Sequence, residues 1–387
     1  MPDIDAPASA YEPWLRMRLT DGLTHLRLIE LIRAYGSPDV LLGLTVDRIV
    51  QETGIQPTLA EALLRGPDED ALKREIEAIE THGVRLAAWT DEHYPVNLHD
   101  AANPPALIYY RGTLEPDDRF AVAVVGTRRY TQYGRLAVER IVGRLAGAGL
   151  NIVSGLALGI DALAHDAALE AGGRTYAVLG NGLSHCFPQQ NEALMLRVIE
   201  SGAVFSEYPM DTVGYAGNFP VRNRIIAGLA LGALIIEAPE KSGALHTARH
   251  AVEDNRDVFA IPADISRRNS LGCNRLLQQG AKLVIEAEDV LSELAPQLRD
   301  YLQQEQRRQA EETVAALDGL EAAIHAALAE EPVHIDALLQ KLQAGDGQSG
   351  ETERPALNIS QLSAALFQLE LKDLVRQLPG QIYALRV

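Results

Sequence analysis

Seven short apolar runs alternate with helical segments between Phe120 and about residue 290, and this alternation constrains the fold more than any other feature. The runs are FAVAVVG, LNIVSG, TYAVLG, AVFSE, ALIIEA, DVFAIPA and KLVIEA. Short continuous apolar strands separated by helices are typical of a mostly parallel sheet that is covered on both faces. The sequence therefore predicts an α/β, Rossmann-like, doubly wound domain.

The segments on either side of this alternation have different patterns. Residues 1–83 contain short amphipathic helical patterns with Gly and Pro stop signals, and they predict a small helical domain of the sterile-alpha-motif or helix-hairpin-helix type. Two strand-like runs, VRLAAWTDEHYP and PPALIYYRG, extend the central domain over residues 84–295. Residues 296–313 are polar and predict a linker. Residues 314–387 contain three helical patterns and a hairpin pattern, which together predict a winged-helix domain.

The net charge of −18 at first argues against a nucleic-acid partner, but the distribution of charge matters more than its sum. Residues 120–290 carry 16 Lys and Arg against 17 Asp and Glu, so nearly all of the excess negative charge lies in the flanks. A near-neutral central domain can concentrate its arginines on one face. The net charge of the chain therefore does not exclude a nucleic-acid partner.

The cysteines and the apolar stretches indicate a cellular compartment. Cys186 and Cys273 are far apart and lack metal-ligand spacing, which favours a reduced, intracellular protein. The acidic start MPDIDAPASAYEPW has no apolar core of the kind that a secretory signal requires. The apolar stretch 225–236 is 12 residues long, whereas a membrane helix needs about 20. We expect a cytoplasmic protein without membrane contact.

The run FPVRNRIIAGL at 219–229 predicts a segment that contacts nucleic acid. Arg222 and Arg224 can form charge-assisted hydrogen bonds to phosphate oxygens, and Asn223 offers both a donor and an acceptor. Phe219 offers a flat face on which an unpaired base can stack. The alternative interpretation is that Phe219 belongs to the core and that the arginines cap or solvate the start of a helix.

Glycines and polar residues follow five of the seven strands of the predicted sheet. Such strand ends meet at the carboxyl edge, where doubly wound sheets bind ligands, and free amides at helix starts suit phosphate. The candidate residues at this edge are Gly126, Thr127, Arg128, Ser154, Gly155, Gly182, Lys241, Ser242, Gly243 and Asn274. The dinucleotide fingerprint and the P-loop are both absent, and no strand end pairs a nucleophile with a base. The pattern therefore predicts a row of phosphate contacts, with no catalytic residue, cofactor or metal.

With these residues in place, the central domain strongly resembles the DprA/Smf family of DNA-processing proteins. The resemblance covers roughly residues 84–290, and the matching runs are GTR, SGLALGIDALAH, AVLGNG, FPVRNRIIAGL, EAPEKSGALHTA, VFAIPA and SLGCNRLLQQGA, in family order. It implies a protein that binds single-stranded DNA, forms a homodimer through the Rossmann-like domain and loads the RecA recombinase during natural transformation.

The resemblance also implies roles for individual residues. It places a phosphate-binding arginine at Arg128, a basic run at Arg222 and Arg224, a stacking ring at Phe219 and a later basic contact at Lys241. The loop MDTVGYAGN departs from the Pro- and Gly-rich loop that is common in the family.

Two other classes of function remain open. A nucleotide phosphoribohydrolase related to lysine decarboxylase-like proteins shares the Rossmann-like sheet and its glycine-rich strand ends, but the P-G-G-x-G-T run of that class is missing. A winged-helix regulator would read duplex DNA with a basic helix, whereas ISQLSAALFQLELKDL has one Lys and no Arg. The sequence thus favours a binding protein over an enzyme.

Overall fold

The structure is a computed structural model, and two compact units divide it into Met1–Leu294 and Ala295–Val387. It describes residues 4, 6–297, 317, 319–329, 332–345, 358–371, 374–378 and 380–385. The predicted domain boundary at residue 83 falls within the first unit. Of the predicted linker at 296–313, residues 298–313 lie outside the described residues.

The first unit begins with a bundle of short helices. Their bounds are α1 (Glu12–Arg18), α2 (His25–Tyr35), α3 (Pro38–Leu42), α4 (Val46–Thr53), α5 (Pro57–Arg65) and α6 (Glu69–Thr81). Helix α2 begins where the Thr24 hydroxyl accepts a hydrogen bond from the Arg27 amide. It ends at Tyr35 because Gly36 has a φ of 85°, which a residue with a side chain rarely adopts.

A nine-stranded sheet forms the centre of this unit, in the order β1-β2-β6-β5-β4-β3-β7-β8-β9. Its strands are β1 (Arg85–Ala88), β2 (Leu107–Gly112), β3 (Ala121–Val125), β4 (Asn151–Ser154), β5 (Thr175–Val178), β6 (Ala203–Ser206), β7 (Gly232–Ile235), β8 (Asp257–Ala260) and β9 (Lys282–Leu283). Strands β1 and β2 pair antiparallel, as do β2 and β6, while the pairs from β6 to β9 are parallel. The predicted Rossmann-like sheet is confirmed. Its strand order reverses between β3 and β7, which is the position where such sheets bind ligands.

Helices cover both faces of the sheet. They are α7 (Val96–His99), α8 (Gln132–Ala137), α9 (Gly143–Gly147), α10 (Ile160–Glu170), α11 (Glu192–Ser201), α12 (Asn218–Gly228), α13 (Ala244–Glu253) and α14 (Leu271–Gln278), and a π-helical turn at Val138–Val142 joins α8 to α9. Strands β3 to β7 are buried along their whole length, as their continuous apolar sequences predict. Within the described part of the chain, every helix is too short or too polar to cross a bilayer.

The second unit has the winged-helix architecture that the sequence predicts. Its elements are α15 (Gly319–Ala327), β10 (Val333–His334), α16 (Ile335–Gly345), α17 (Ile359–Leu371), β11 (Val375–Leu378) and β12 (Ile382–Leu385). Strands β11 and β12 form the predicted hairpin, and β10 adds a third strand beside β12. The sequence did not indicate β10 because two residues are too few to show an alternating pattern.

Candidate nucleic-acid interface

The loop after β3 lies at the reversal point of the sheet and carries Arg128 into solvent. Its Thr127 amide donates to the main-chain oxygen of Glu237, just after β7, at 2.7 Å. Gly159, before α10, has a φ of 95°, and a Cβ there would lie 2.4 Å from the Thr127 oxygen. Only glycine permits this close approach. The two loops therefore fix the backbone of the GTR segment while Arg128 and the next residue, Arg129, remain exposed.

The backbone amides at this point of the sheet bind a carboxylate of the protein itself, that of Asp161. Asp161 is buried, and the backbone amides of Ala157, Gly126 and Gly155 hydrogen-bond to it. Burial raises the pKa of Asp161 to about 6, although the charge of Arg222 and the three amides oppose that rise. A nucleotide phosphate would need the same amides. In this fold they serve an internal carboxylate instead.

Arg222 compensates that buried carboxylate and faces the interior. The side chain is 4% exposed, and its Nη1 donates to the Gly155 oxygen at 2.9 Å. A Cβ at Gly155 would lie 2.6 Å from an Arg222 guanidinium nitrogen and 2.7 Å from an Asp161 carboxylate oxygen. Burial lowers the pKa of Arg222 to about 10 even though Asp161 acts to raise it. Gly155 and Arg222 are thus parts of a packed charge site beneath the surface.

Arg224, the second arginine of the FPVRNR run, is also buried. Its Nη2 donates to Glu207 Oε2 at 2.6 Å, and His25 Nε2 lies 2.9 Å from the same oxygen. Burial acts to raise the pKa of Glu207, but the hydrogen bond from His25 and the charge of Arg224 hold it at about 2. Arg18 from α1 donates to the main-chain oxygen of Glu207. Arg224 therefore joins α12 to the N-terminal helices rather than facing solvent.

Phe219 lies half-buried at the start of α12, in contact with a second ring. The Phe187 ring stacks on it with centroids 5.5 Å apart and planes inclined by 28°. The guanidinium carbons of Arg128 and Arg222 lie 5.7 and 6.0 Å from the Phe219 centroid. A Cβ at Gly180 would lie 2.8 Å from Phe219 Cδ1. Phe187 is 45% exposed, so it carries the more accessible ring of the pair.

The loop after β7 brings three more predicted residues to the same edge. Lys241 and Gly243 are exposed, and Ser242 is half-buried. Asn223 on α12 donates from Nδ2 to the Gly243 oxygen at 3.1 Å, which ties this loop to the helix that carries Phe219.

Three other residues that the sequence predicts as DNA contacts, namely Ser154, Gly182 and Asn274, make contacts within the protein. The Ser154 hydroxyl is fully buried and donates to the Val124 oxygen at 2.6 Å. A Cβ at Gly182 would lie 2.0 Å from the Met210 oxygen, so this glycine lets two loops pack together. The Asn274 amide makes two hydrogen bonds to the backbone of Ala263, at 3.1 and 2.8 Å.

Sequence reasoning missed two residues at this edge. Arg129 directly follows Arg128, and this doubled arginine was the available signal. Phe187 lies in the HCFPQQN run after β5, in a segment that the sequence marks only by its glycines, Pro188 and Asn191. Nothing in the linear sequence indicates that Phe187 meets Phe219, because the pairing requires the loops after β5 and β6 to fold together.

The fold and this edge define a Rossmann-like α/β protein with exposed cations and a stacked aromatic pair at the carboxyl ends of its strands. Residues 85–295 match the family model for DNA recombination-mediator protein A, and residues 352–381 match the DprA winged helix domain. The chain belongs to the DNA recombination-mediator protein A family, known as DprA or Smf.

Individual relatives agree with the family model. Protein Smf of Synechocystis is 38% identical over 313 residues, which cover 76% of this chain and 79% of that protein. DNA processing protein DprA of Streptococcus pneumoniae is 44% identical over 203 residues, or 52% of this chain and 72% of the relative. The X-ray structure of the S. pneumoniae protein aligns with a TM-score of 0.64 and 35% identity, covering 73% of this chain and 97% of that chain.

Proposed function

We propose that this protein binds single-stranded DNA along the carboxyl edge of its sheet. The observation that carries the proposal is the group of exposed cations Arg128, Arg129 and Lys241 at the edge that also carries the Phe187–Phe219 stack, with the Arg128 guanidinium carbon 5.7 Å from the Phe219 centroid. Among the described residues, no carboxylate lies within 4.0 Å of the nitrogens of these three side chains. Arginine and lysine without acidic partners suit phosphates, and an accessible aromatic ring suits an unpaired base.

Single strands fit this edge better than a duplex. In a duplex the bases are already stacked and paired, so a loop-borne phenylalanine has no free base face to contact. Helix α17 of the winged-helix unit has the sequence ISQLSAALFQLEL without Arg or Lys, and Leu362, Leu366 and Leu369 on it are buried in its own core. These features favour a protein-contact or regulatory role for this unit over reading of a duplex.

The proposal extends to partners and compartment. We infer that the protein delivers its bound strand to the RecA recombinase during DNA recombination and natural transformation, that it acts as a homodimer formed through the Rossmann-like domain, and that it works in the cytoplasm. Membership in a family of recombination mediators supports these inferences. They can be tested by measuring RecA nucleation on single strands covered by a single-strand-binding protein, with and without this chain, and by sedimentation of the purified protein.

We propose further that the edge is a binding site without catalysis. Asp161 and His165 are an acid and a base that share one face of α10 beside this edge, and both are buried. Asp161 is held by backbone amides, and His165 Nδ1 lies 2.7 Å from the Thr175 hydroxyl. Neither side chain reaches a bound ligand in this arrangement, which weighs against the phosphoribohydrolase alternative.

A single experiment tests the central claim. Gel shifts with single-stranded and double-stranded oligonucleotides of the same sequence should show preferential, salt-sensitive binding of the single strand, and a nucleotide hydrolysis assay on the same preparation should show no turnover. Equal affinity for the duplex would contradict the binding proposal. Turnover that disappears in an Asp161→Ala variant would instead restore the enzyme class.

A further inference from the structure

A short basic loop follows β8 at the same edge of the sheet. After Ala260 the chain passes through 262–270 before α14, and residues 264–268 are exposed. This loop carries Arg267 and Arg268 side by side, and Ile265 within it is 85% exposed. Because β8 lies next to β7 in the sheet, the loop belongs to the same edge as the one that carries Lys241.

Contacts with neighbouring loops hold this segment beside the GTR loop. Asn269 donates from Nδ2 to the Arg129 oxygen at 3.3 Å. The Tyr133 hydroxyl donates to the Pro262 oxygen. The two Asn274 hydrogen bonds fix Ala263 at the base of the loop. The position of Arg267 and Arg268 relative to Arg129 is thus determined by the fold.

Among the described residues, the two arginines of this loop form no close ion pair. Among the described residues, no carboxylate oxygen lies within 4.0 Å of an Arg267 or Arg268 nitrogen, and the Arg267 guanidinium lies over the Tyr133 ring at 5.5 Å from its centroid. The nearby acid, Asp264, accepts a hydrogen bond from the Ser266 amide at 2.8 Å, and that backbone bond lowers its pKa, with a smaller contribution from the charge of Arg267. Its carboxylate therefore stabilises the loop itself.

Two neighbouring arginines show the opposite arrangement. Arg135 on α8 pairs with Glu139 at 2.7 Å, and Arg275 on α14 pairs with Glu240 at 2.7 Å. In an acidic protein, cations that meet a carboxylate are partly neutralised, while those without one attract polyanions most strongly. The arginines of the 264–268 loop, which form no close ion pair among the described residues, thus extend the positive potential of Arg128 and Arg129 along this edge.

We propose that Arg267 and Arg268 bind backbone phosphates of the same single strand and extend its track past the loops after β3 and β7. The inference rests on the proposed function, since it adds a segment to the single-stranded DNA site described above. The occupant is a polynucleotide strand that is long enough to reach both Arg128 and the 264–268 loop. A short oligonucleotide bound at Arg128 and the Phe187–Phe219 stack leaves the loop free.

The test compares two double variants that remove the same charge. The first is Arg267→Ala with Arg268→Ala, and the matched control is Arg135→Ala with Arg275→Ala, which removes carboxylate-paired arginines next to the same loops. Affinity is measured for a length series of oligo-dT at several salt concentrations, together with the melting temperature. For long oligonucleotides the first variant should bind roughly tenfold more weakly, and its log-log salt slope should be smaller by about 1.4, at about 0.7 for each lost contact. Short oligonucleotides should bind both variants alike.

The outcomes separate this inference from the proposed function. If the wild type binds single strands and the first variant matches the control at every length, the loop has no contact with the strand and the inference is wrong while the function stands. If the wild type binds no single-stranded DNA, the proposed function itself fails. A charge-preserving variant, Arg267→Lys with Arg268→Lys, should retain most of the salt slope if phosphate contact is the cause.

Discussion

Arg224 and Glu207 form a buried ion pair, with 2.6 Å between Nη2 and Oε2, that fixes helix α12 against the N-terminal helices. His25 completes the arrangement. Its Nδ1 accepts a hydrogen bond from the Ala106 amide at 3.0 Å, so its Nε2 carries the proton and donates to Glu207. Burial is the main cause that lowers the pKa of His25, in line with the unprotonated Nδ1. The helix that carries Phe219 is thus held by a residue from the first 35 of the chain.

Breaking the Arg224–Glu207 pair should lower the free energy of unfolding without altering the salt dependence of DNA binding. Arg224→Met leaves the Glu207 carboxylate buried without its guanidinium, and loss of one partner of a buried pair costs about 3–5 kcal/mol. Thermal and denaturant unfolding measure the loss. The salt slope of DNA binding should stay unchanged, because Arg224 makes no phosphate contact in this arrangement.

A second variant checks the physical reason. Combining Arg224→Met with Glu207→Leu removes both charges and should recover part of the lost stability, since no uncompensated charge stays buried. A stable Arg224→Met protein with a flattened salt slope would show instead that Arg224 reaches phosphate.

Arg128→Ala should weaken binding of single-stranded DNA while the melting temperature stays near that of the wild type. The side chain is exposed, and a charge-assisted hydrogen bond to phosphate contributes roughly 1.5–3 kcal/mol. The log-log salt slope should fall by about 0.7, as expected for one phosphate contact on a single strand. Titrations at several salt concentrations measure both quantities. The exposed Arg48, which pairs with Glu52 on α4, provides the control, and Arg48→Ala should change neither.

The parallel strands β3 to β7 were predictable because they are short, apolar and separated by helices, and this alternation is typical of a parallel sheet covered on both faces. Arg128 and Lys241 were predictable as exposed cations because both follow strand ends. The orientation of Arg222 and Arg224 was not, since two arginines on one helix turn show nothing about which carboxylates lie behind them. Asp161 and Glu207 are 61 and 17 residues away in the chain from Arg222 and Arg224, and only the folded loops bring them together.

Removal of the Phe187 ring and removal of the Phe219 ring should differ in their effect on the stability of the protein. Phe187→Ala should reduce affinity by about 1–3 kcal/mol and leave the salt slope unchanged, because stacking on a base releases no counterions. Phe219→Ala should reduce affinity too, but it should also lower the melting temperature, since the ring packs against Gly180 and Phe187. Affinity and thermal unfolding of both variants test this difference. The control is Phe367→Ala, which removes an exposed ring from the other unit.

Acid should destabilise the first unit through His165. This ring is fully buried, and burial lowers its pKa to about 3, with the charge of Arg222 acting in the same direction. The Thr175 hydroxyl donates to the Ile152 oxygen, so it accepts from His165 Nδ1, and His165 Nε2 has no hydrogen-bond partner among the described residues. Protonation would therefore bury a cation that nothing compensates.

The unfolded chain binds this proton near pH 6.5, whereas the folded chain binds it only near pH 3. The stabilisation from a neutral His165 is complete above about pH 6.5 and is lost as the pH falls toward 3, at about 1.4 kcal/mol per pH unit for one proton. Denaturant unfolding between pH 7 and pH 4 measures this slope. His165→Asn keeps a donor for Thr175 but cannot take up the proton, so its unfolding free energy should fall less steeply by that amount. Parallel curves for the two proteins would show that His165 is not the group that titrates.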